Sequence, residues 1–155
     1  MKTVYKVLAY IIAIEVVVQA SMIAFAVAGL GIWVDGGGVF DKAAFESEDL
    51  TFTGILGFMV HGINGMMVIP LIALVLLIVS FFAKVPNGVR NAGIVLLLVV
   101  VQVALGIFGH ETPYAGLLHG LNALVLFSMA LYTARSAAAT TKPEVSYQAG
   151  EAAPV

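Results

Sequence analysis

The chain has 155 residues, of which 61% are hydrophobic and 10% charged, with a formal net charge of −2 and no cysteine. Its mean hydropathy of +1.07 sets it apart from soluble domains of this length. Disulfides, thiolate metal sites and covalent c-type haem attachment are excluded, so any cofactor must be held by His, Met or oxygen ligands.

Four apolar segments reach the roughly 20 residues needed to cross a hydrocarbon core. Backbone groups in lipid must be satisfied internally, so each is read as a transmembrane helix. The first covers about residues 7–33 and contains Glu15, the only acidic residue within a span, and Gln19. Ala26-Val27-Ala28 resembles a signal-peptidase site, but the apolar run exceeds a signal core in length and is read as a retained helix. Glu15 is either a proton or quinone contact or a neutral group bonded to Gln19 one turn on.

The following loop carries Gly36-Gly37-Gly38 and a Phe40/Phe45 pair, read as a lid or short amphipathic turn over the outer face. The second helix, about 53–82, holds His61-Gly62-Ile63-Asn64, a methionine group at Met59, Met66 and Met67 read as packing, and Pro70. Val85-Pro86-Asn87-Gly88 is a tight turn. The third helix, about 89–109, carries Gln102 and ends at His110 and Glu111, where a solvated histidine is expected. Thr112 caps the fourth helix, about 113–134, with Pro113 at its first position. This helix contains His119-Gly120-Leu121-Asn122. The polar, Ala-rich residues 136–155 are read as a disordered tail.

Six of the seven basic residues, Lys2, Lys6, Lys84, Arg90, Arg135 and Lys142, fall at the two ends and in the second connection. The positive-inside rule therefore puts both termini in the cytoplasm of a cell membrane. The first connection, with Asp35, Asp41, Glu46, Glu48 and Asp49 against Lys42 alone, lies outside.

The chain repeats itself. Val16-Val17-Val18-Gln19 in the first helix matches Val99-Val100-Val101-Gln102 in the third, and each is followed by a helix with His-Gly-x-Asn. Two helix pairs that both start and end inside form a parallel repeat about an axis along the membrane normal. The expected fold is an all-α, up-down-up-down four-helix membrane bundle, in which the second and fourth helices face each other diagonally. His61 and His119 then lie at similar depths, about 12 and 9 Å from the outer ends. The inner ends differ by about 10 Å, which a kink at Pro70 or an inner extension would absorb.

Imidazoles at membrane depth are rare, and two in matching frames point to ligands for a group held between helices. A b-type haem needs two axial nitrogens, apolar walls and room for a flat ring. Gly62 and Gly120 let backbone approach the macrocycle, and a ligating imidazole wants its second nitrogen bonded. Carbonyls one turn back, at Gly57 and Ala115, or the side chains of Asn64 and Asn122 are the candidates for that bond. Gln19 and Gln102 tie helices together or border the cofactor. The competing readings are helix-locking polar residues without a cofactor, and a three-histidine metal site from His61, His110 and His119.

One His in the second helix, one in the fourth, Gln-x-x-x-Gly from Gln102 to Gly106, and a small residue after each His resemble one four-helix half of the haem A synthase family. The resemblance covers about residues 10–134 and implies haem held between His61 and His119. Haem A synthases have two such halves and an acidic residue shortly before the second-helix histidine, where this chain has Gly57 and Phe58. The departure argues against haem-modifying catalysis and leaves cofactor holding.

The function expected is a non-enzymatic membrane cytochrome with bis-histidine haem b, iron bound by His61 and His119, passing electrons; a quinone is the second cofactor considered. Its partners are the lipid bilayer and either other membrane redox subunits or a second copy of the chain, with no nucleic acid. The alternative is a structural or assembly subunit of a membrane complex, with or without a chlorophyll-type pigment.

Overall fold

The structure is a computed structural model that describes residues 1–46 and 50–139. The described chain is all-helical. Helix α1 runs Lys2–Asp35, the short α2 Lys42–Glu46, α3 Ile55–Ala83, α4 Gly88–Phe108 and α5 Pro113–Ala139. The four long helices are each long and apolar enough to cross a membrane. Only 17–28% of the residues in their apolar windows are buried, so most of the apolar surface points outward, as in Ile32, Met67 and Leu124. Helices apolar on all faces suit a lipid surround better than water.

Each long helix packs on two others in a cycle, α1 on α3, α3 on α4, α4 on α5 and α5 back on α1. The diagonal pairs share no extended face among the described residues. The core is built from small and branched side chains at helical spacing: Ala9, Ile12 and Ala13 of α1 meet Ala73 and Leu76 of α3, Val95 and Val99 of α4, and Leu126 and Ala130 of α5. At the end of the bundle that holds the N-terminus Tyr5, fully buried, donates its hydroxyl to the main-chain oxygen of Gly88 at 3.0 Å, tying the start of α1 to the turn between α3 and α4. That turn needs two left-handed residues, Lys84 (φ 52°) and Asn87 (φ 58°), and asparagine tolerates this conformation well.

Several local expectations change. α1 begins at Lys2 and α5 runs on to Ala139, because Ser136-Ala137-Ala138-Ala139 favours helix. The longer α5 brings the inner ends of α3 and α5 nearly level, so no compensating extension is needed. The rest of the expected tail, from residue 140, lies outside the described residues.

Within α3, Asn64–Val68 forms a π turn just ahead of Pro70. Proline offers no N–H to the residue four back and its ring crowds that carbonyl, and a local π adjustment relieves both. At the end of the bundle away from the termini, Trp33 stacks with Phe52 (centroids 5.9 Å) and Phe52 meets Phe58 edge-on (6.3 Å). Phe40 is exposed, and the side chain of Phe45 lies outside the described residues. The methionines Met59, Met66 and Met67 are also exposed and not core packing. The Thr112 cap forms, with its hydroxyl 3.4 Å from the N–H of Tyr114.

Candidate functional site

The core is interrupted at one level. No residue is buried from 14 to 25 in α1, 58 to 68 in α3, 100 to 108 in α4 or 116 to 125 in α5, whereas buried residues flank each of these stretches except the last, outer end of α4. Each stretch is roughly 15 Å of helix. His61 and His119 sit in this zone, half-buried, on helices that otherwise barely touch. Their ring centroids are 6.0 Å apart with the planes tilted by 56°.

Each ring sets Nδ1 near the carbonyl of a glutamine on the preceding long helix. Nδ1 of His119 lies 3.0 Å from the main-chain oxygen of Gln102, and Nδ1 of His61 lies 3.2 Å from that of Gln19. A carbonyl can only accept, so in the His119 pair Nδ1 carries the proton and Nε2 keeps the lone pair. The carbonyls thus come from the preceding long helix of each pair, not from Gly57 and Ala115 one turn back. The repeated glutamine, rather than the repeated asparagine, marks the residue that orients each imidazole.

The glutamine side chains clamp the same histidines from outside the ring. Nε2 of Gln102 donates to the main-chain oxygen of His119 at 3.0 Å, and its Oε1 accepts from Nδ2 of Asn122 at 2.6 Å. With the Gln19 carboxamide oriented to satisfy its neighbours, its nitrogen donates to the main-chain oxygen of His61 at 3.1 Å. Its oxygen accepts from the N–H of Gly65 at 2.9 Å and from Nδ2 of Asn64 at 3.2 Å. The same Gln19 nitrogen donates to Nδ1 of His61 at 2.6 Å, a bond in which Nδ1 accepts, so side chain and main chain of Gln19 compete for this ring nitrogen and the His61 ring is held differently from that of His119. A side-chain amide set between the carbonyl of His61 and the N–H of Gly65 enters the α3 hydrogen-bond ladder at the start of the π turn.

The halves differ at the asparagines. Nδ2 of Asn122 also donates to the main-chain oxygen of Leu98 at 3.0 Å, while Nδ2 of Asn64 donates to Oε2 of Glu15 at 2.7 Å. Glu15 is therefore bonded across to α3 and not to Gln19 on its own helix.

The glycines do not act alike. A Cβ added at Gly62 or Gly120 would meet nothing within 4 Å, so neither glycine is required by a protein neighbour. Gly57 is different, because a Cβ there would fall on the main-chain oxygen of Met22; it permits the close crossing of α1 and α3 that brings Gln19 to His61. At Gly106 a Cβ would lie 3.2 Å from Cε1 and 3.3 Å from Nδ1 of His119. Gly106 thus leaves room for the ring. In the sequence this glycine is marked only by Gln-x-x-x-Gly, which sets it one helical turn after Gln102.

His110 is exposed just past the C-terminal end of α4, and among the described residues no group of three or more His, Cys, Asp or Glu side chains gathers. The assembled donor set is two imidazoles. One ion held at about 2 Å by a nitrogen of each ring sets the centroids about 6 Å apart, in keeping with the spacing found. The second ring nitrogen fixed by a carbonyl is the arrangement that ligating histidines use. No family model matches the chain, and no curated protein or solved structure matches it.

Proposed function

We propose that the chain is an integral membrane b-type haem protein, an up-down-up-down four-helix bundle with haem iron between His61 and His119, that passes single electrons. The observation that carries this reading is the pair of imidazoles 6.0 Å apart, each with Nδ1 on the carbonyl of an equivalent glutamine. The interruption of the core at that level supports it, since a macrocycle needs space and apolar walls between helices. In this reading Nε2 of each histidine binds the metal, the carbonyls of Gln19 and Gln102 hold the rings in orientation, and the carboxamides with Asn64 and Asn122 fix the backbone around them. The haem supplies a one-electron couple. Two histidine ligands would leave the iron no position for oxygen, so electron passage fits better than oxygen binding. The basic residues at both ends and in the α3–α4 turn favour termini in the cytoplasm. The redox partner is then a quinone or another membrane subunit.

The test is the absorption spectrum of protein purified from haem-replete cells, with a pyridine extract to identify the macrocycle. A two-band reduced spectrum of a low-spin b haem, lost in both His61→Ala and His119→Ala, supports the reading. Colourless wild-type protein sinks it. The bonds of Gln102 and Asn122 across α4 and α5 favour a second reading, a structural subunit locked by polar residues; in that case both variants stay folded and no cofactor is lost.

A further inference from the structure

We propose that Glu15 is the proton-accepting partner of the two-histidine site, taking up one proton when one electron enters the metal centre between His61 and His119. The inference rests on the haem reading above and goes beyond it in assigning a second, coupled chemistry to a residue that is not a ligand.

The repeat isolates Glu15 as the one departure from symmetry in the polar network. Glu15 and Leu98 occupy equivalent positions, each four residues before its glutamine. Asn122 donates to the backbone carbonyl of Leu98, and Asn64 donates to the Glu15 carboxylate at 2.7 Å. A carboxylate has taken the place of a carbonyl where the second half of the molecule shows that a carbonyl suffices. The α3 π turn begins at Asn64, the residue that holds it, and such turns recur at functional sites. From Asn64 the bonds continue through the Gln19 carboxamide, 3.2 Å away, to the backbone of His61. Glu15 is connected to a ligand without touching it.

Charge balance gives the connection its purpose. An ionised carboxylate in an apolar span needs a cation. In α1 no Lys or Arg follows Lys6, α3 has none, α4 has none after Arg90 and α5 has none before Arg135. The titratable groups on the elements packed against α1 are His61 of α3, and His119 of α5 with Tyr114 near its outer end and Tyr132 and Arg135 toward its inner end. An imidazole that ligates a metal is uncharged and would provide no countercharge. A haem iron with two imidazole ligands carries one net positive charge when oxidised and none when reduced, apart from its propionates. The oxidised centre is therefore the cation that Glu15 lacks, and reduction removes it. On reduction one electron from a one-electron donor would go to the metal, and one proton from bulk hydronium, whose O–H bond breaks to leave water, would bond to a Glu15 carboxylate oxygen, leaving the net charge of the site unchanged.

The experiment is a redox titration of the full chain with haem bound, in detergent, across the neutral pH range with dithionite as reductant, for wild type, Glu15→Gln and Glu15→Asp. Glu15→Gln keeps an acceptor for Asn64 and leaves both ligands in place. In the wild type the equilibrium constant for reduction falls by up to tenfold per pH unit, about 59 mV for one electron. In Glu15→Gln it is higher and flat with pH, and in Glu15→Asp the slope returns. The reduced-minus-oxidised infrared spectrum gains a protonated-carboxyl band in the wild type and lacks it in Glu15→Gln. Superimposable pH profiles for wild type and Glu15→Gln, with a normal b-type spectrum in both, overturn this proposal alone. No haem spectrum in the wild type overturns the haem reading and this inference with it.

Discussion

The main-chain oxygen of Gln102 stands 3.0 Å from Nδ1 of His119, and the carboxamide of the same residue holds the backbone of that histidine at 3.0 Å. One glutamine thus fixes both the ring and the helix that bears it. Gln102→Leu keeps the first contact and removes the second, leaving Asn122 without its 2.6 Å acceptor. Outer partners of ligating histidines are worth about 10–100-fold in metal affinity. Haem retention in the variant should drop by about tenfold, read by competition with a second haem-binding protein, while the fold loses only about 1 kcal/mol.

Two glycine substitutions separate packing from open surface. Gly57→Ala puts a methyl group on the carbonyl of Met22 and forces α1 and α3 apart, which should cost about 1–3 kcal/mol. Gly120→Ala meets nothing and should be neutral within about 0.5 kcal/mol. Unfolding in mixed detergent with increasing dodecyl sulfate distinguishes them.

Gly106→Ala acts on the site and not on the fold. The added methyl, 3.2 Å from Cε1 of His119, moves the ring by a few tenths of an ångström. A folded protein with an altered low-spin spectrum and several-fold weaker haem binding is expected, checked by absorption and electron paramagnetic resonance. An unchanged spectrum would show that the ring does not need the space.

At the opposite end, Tyr5→Phe removes the bond from the buried hydroxyl to the carbonyl of Gly88. A lost hydrogen bond of this kind costs about 1 kcal/mol. Stability should fall by that amount with the haem spectrum intact, since Tyr5 lies in the inner core and not at the level of the histidines.

The four long helices and the approach of His61 to His119 were legible because apolar length and motif repetition are local signals that survive without tertiary information. What holds the imidazoles was not, because the partner carbonyls belong to another helix and backbone carbonyls carry no residue signature. Val-Val-Val-Gln was visible as a repeat, yet its role follows only from the crossing of α1 with α3 and of α4 with α5. The partner of Glu15 was misplaced for a related reason: Gln19 is its neighbour by helical spacing, but Asn64 reaches it from across an interface. The π turn had its cause in view at Pro70, whose missing N–H admits either a kink or an extra residue in the turn. The methionines were misread because in a chain apolar on all faces, hydrophobicity does not tell inside from outside.

A helix pair bearing one glutamine and one His-Gly-x-Asn supplies half of a two-imidazole clasp and cannot close it alone. Rotated about a line midway between the rings, a second such pair completes it, which is the geometry of a two-fold dimer. Here both copies share one polypeptide, so a substitution in one need not be copied in the other. That freedom is what lets an acid stand at position 15 while an aliphatic residue stands at its counterpart, 98; identical subunits would have to carry two carboxylates or none.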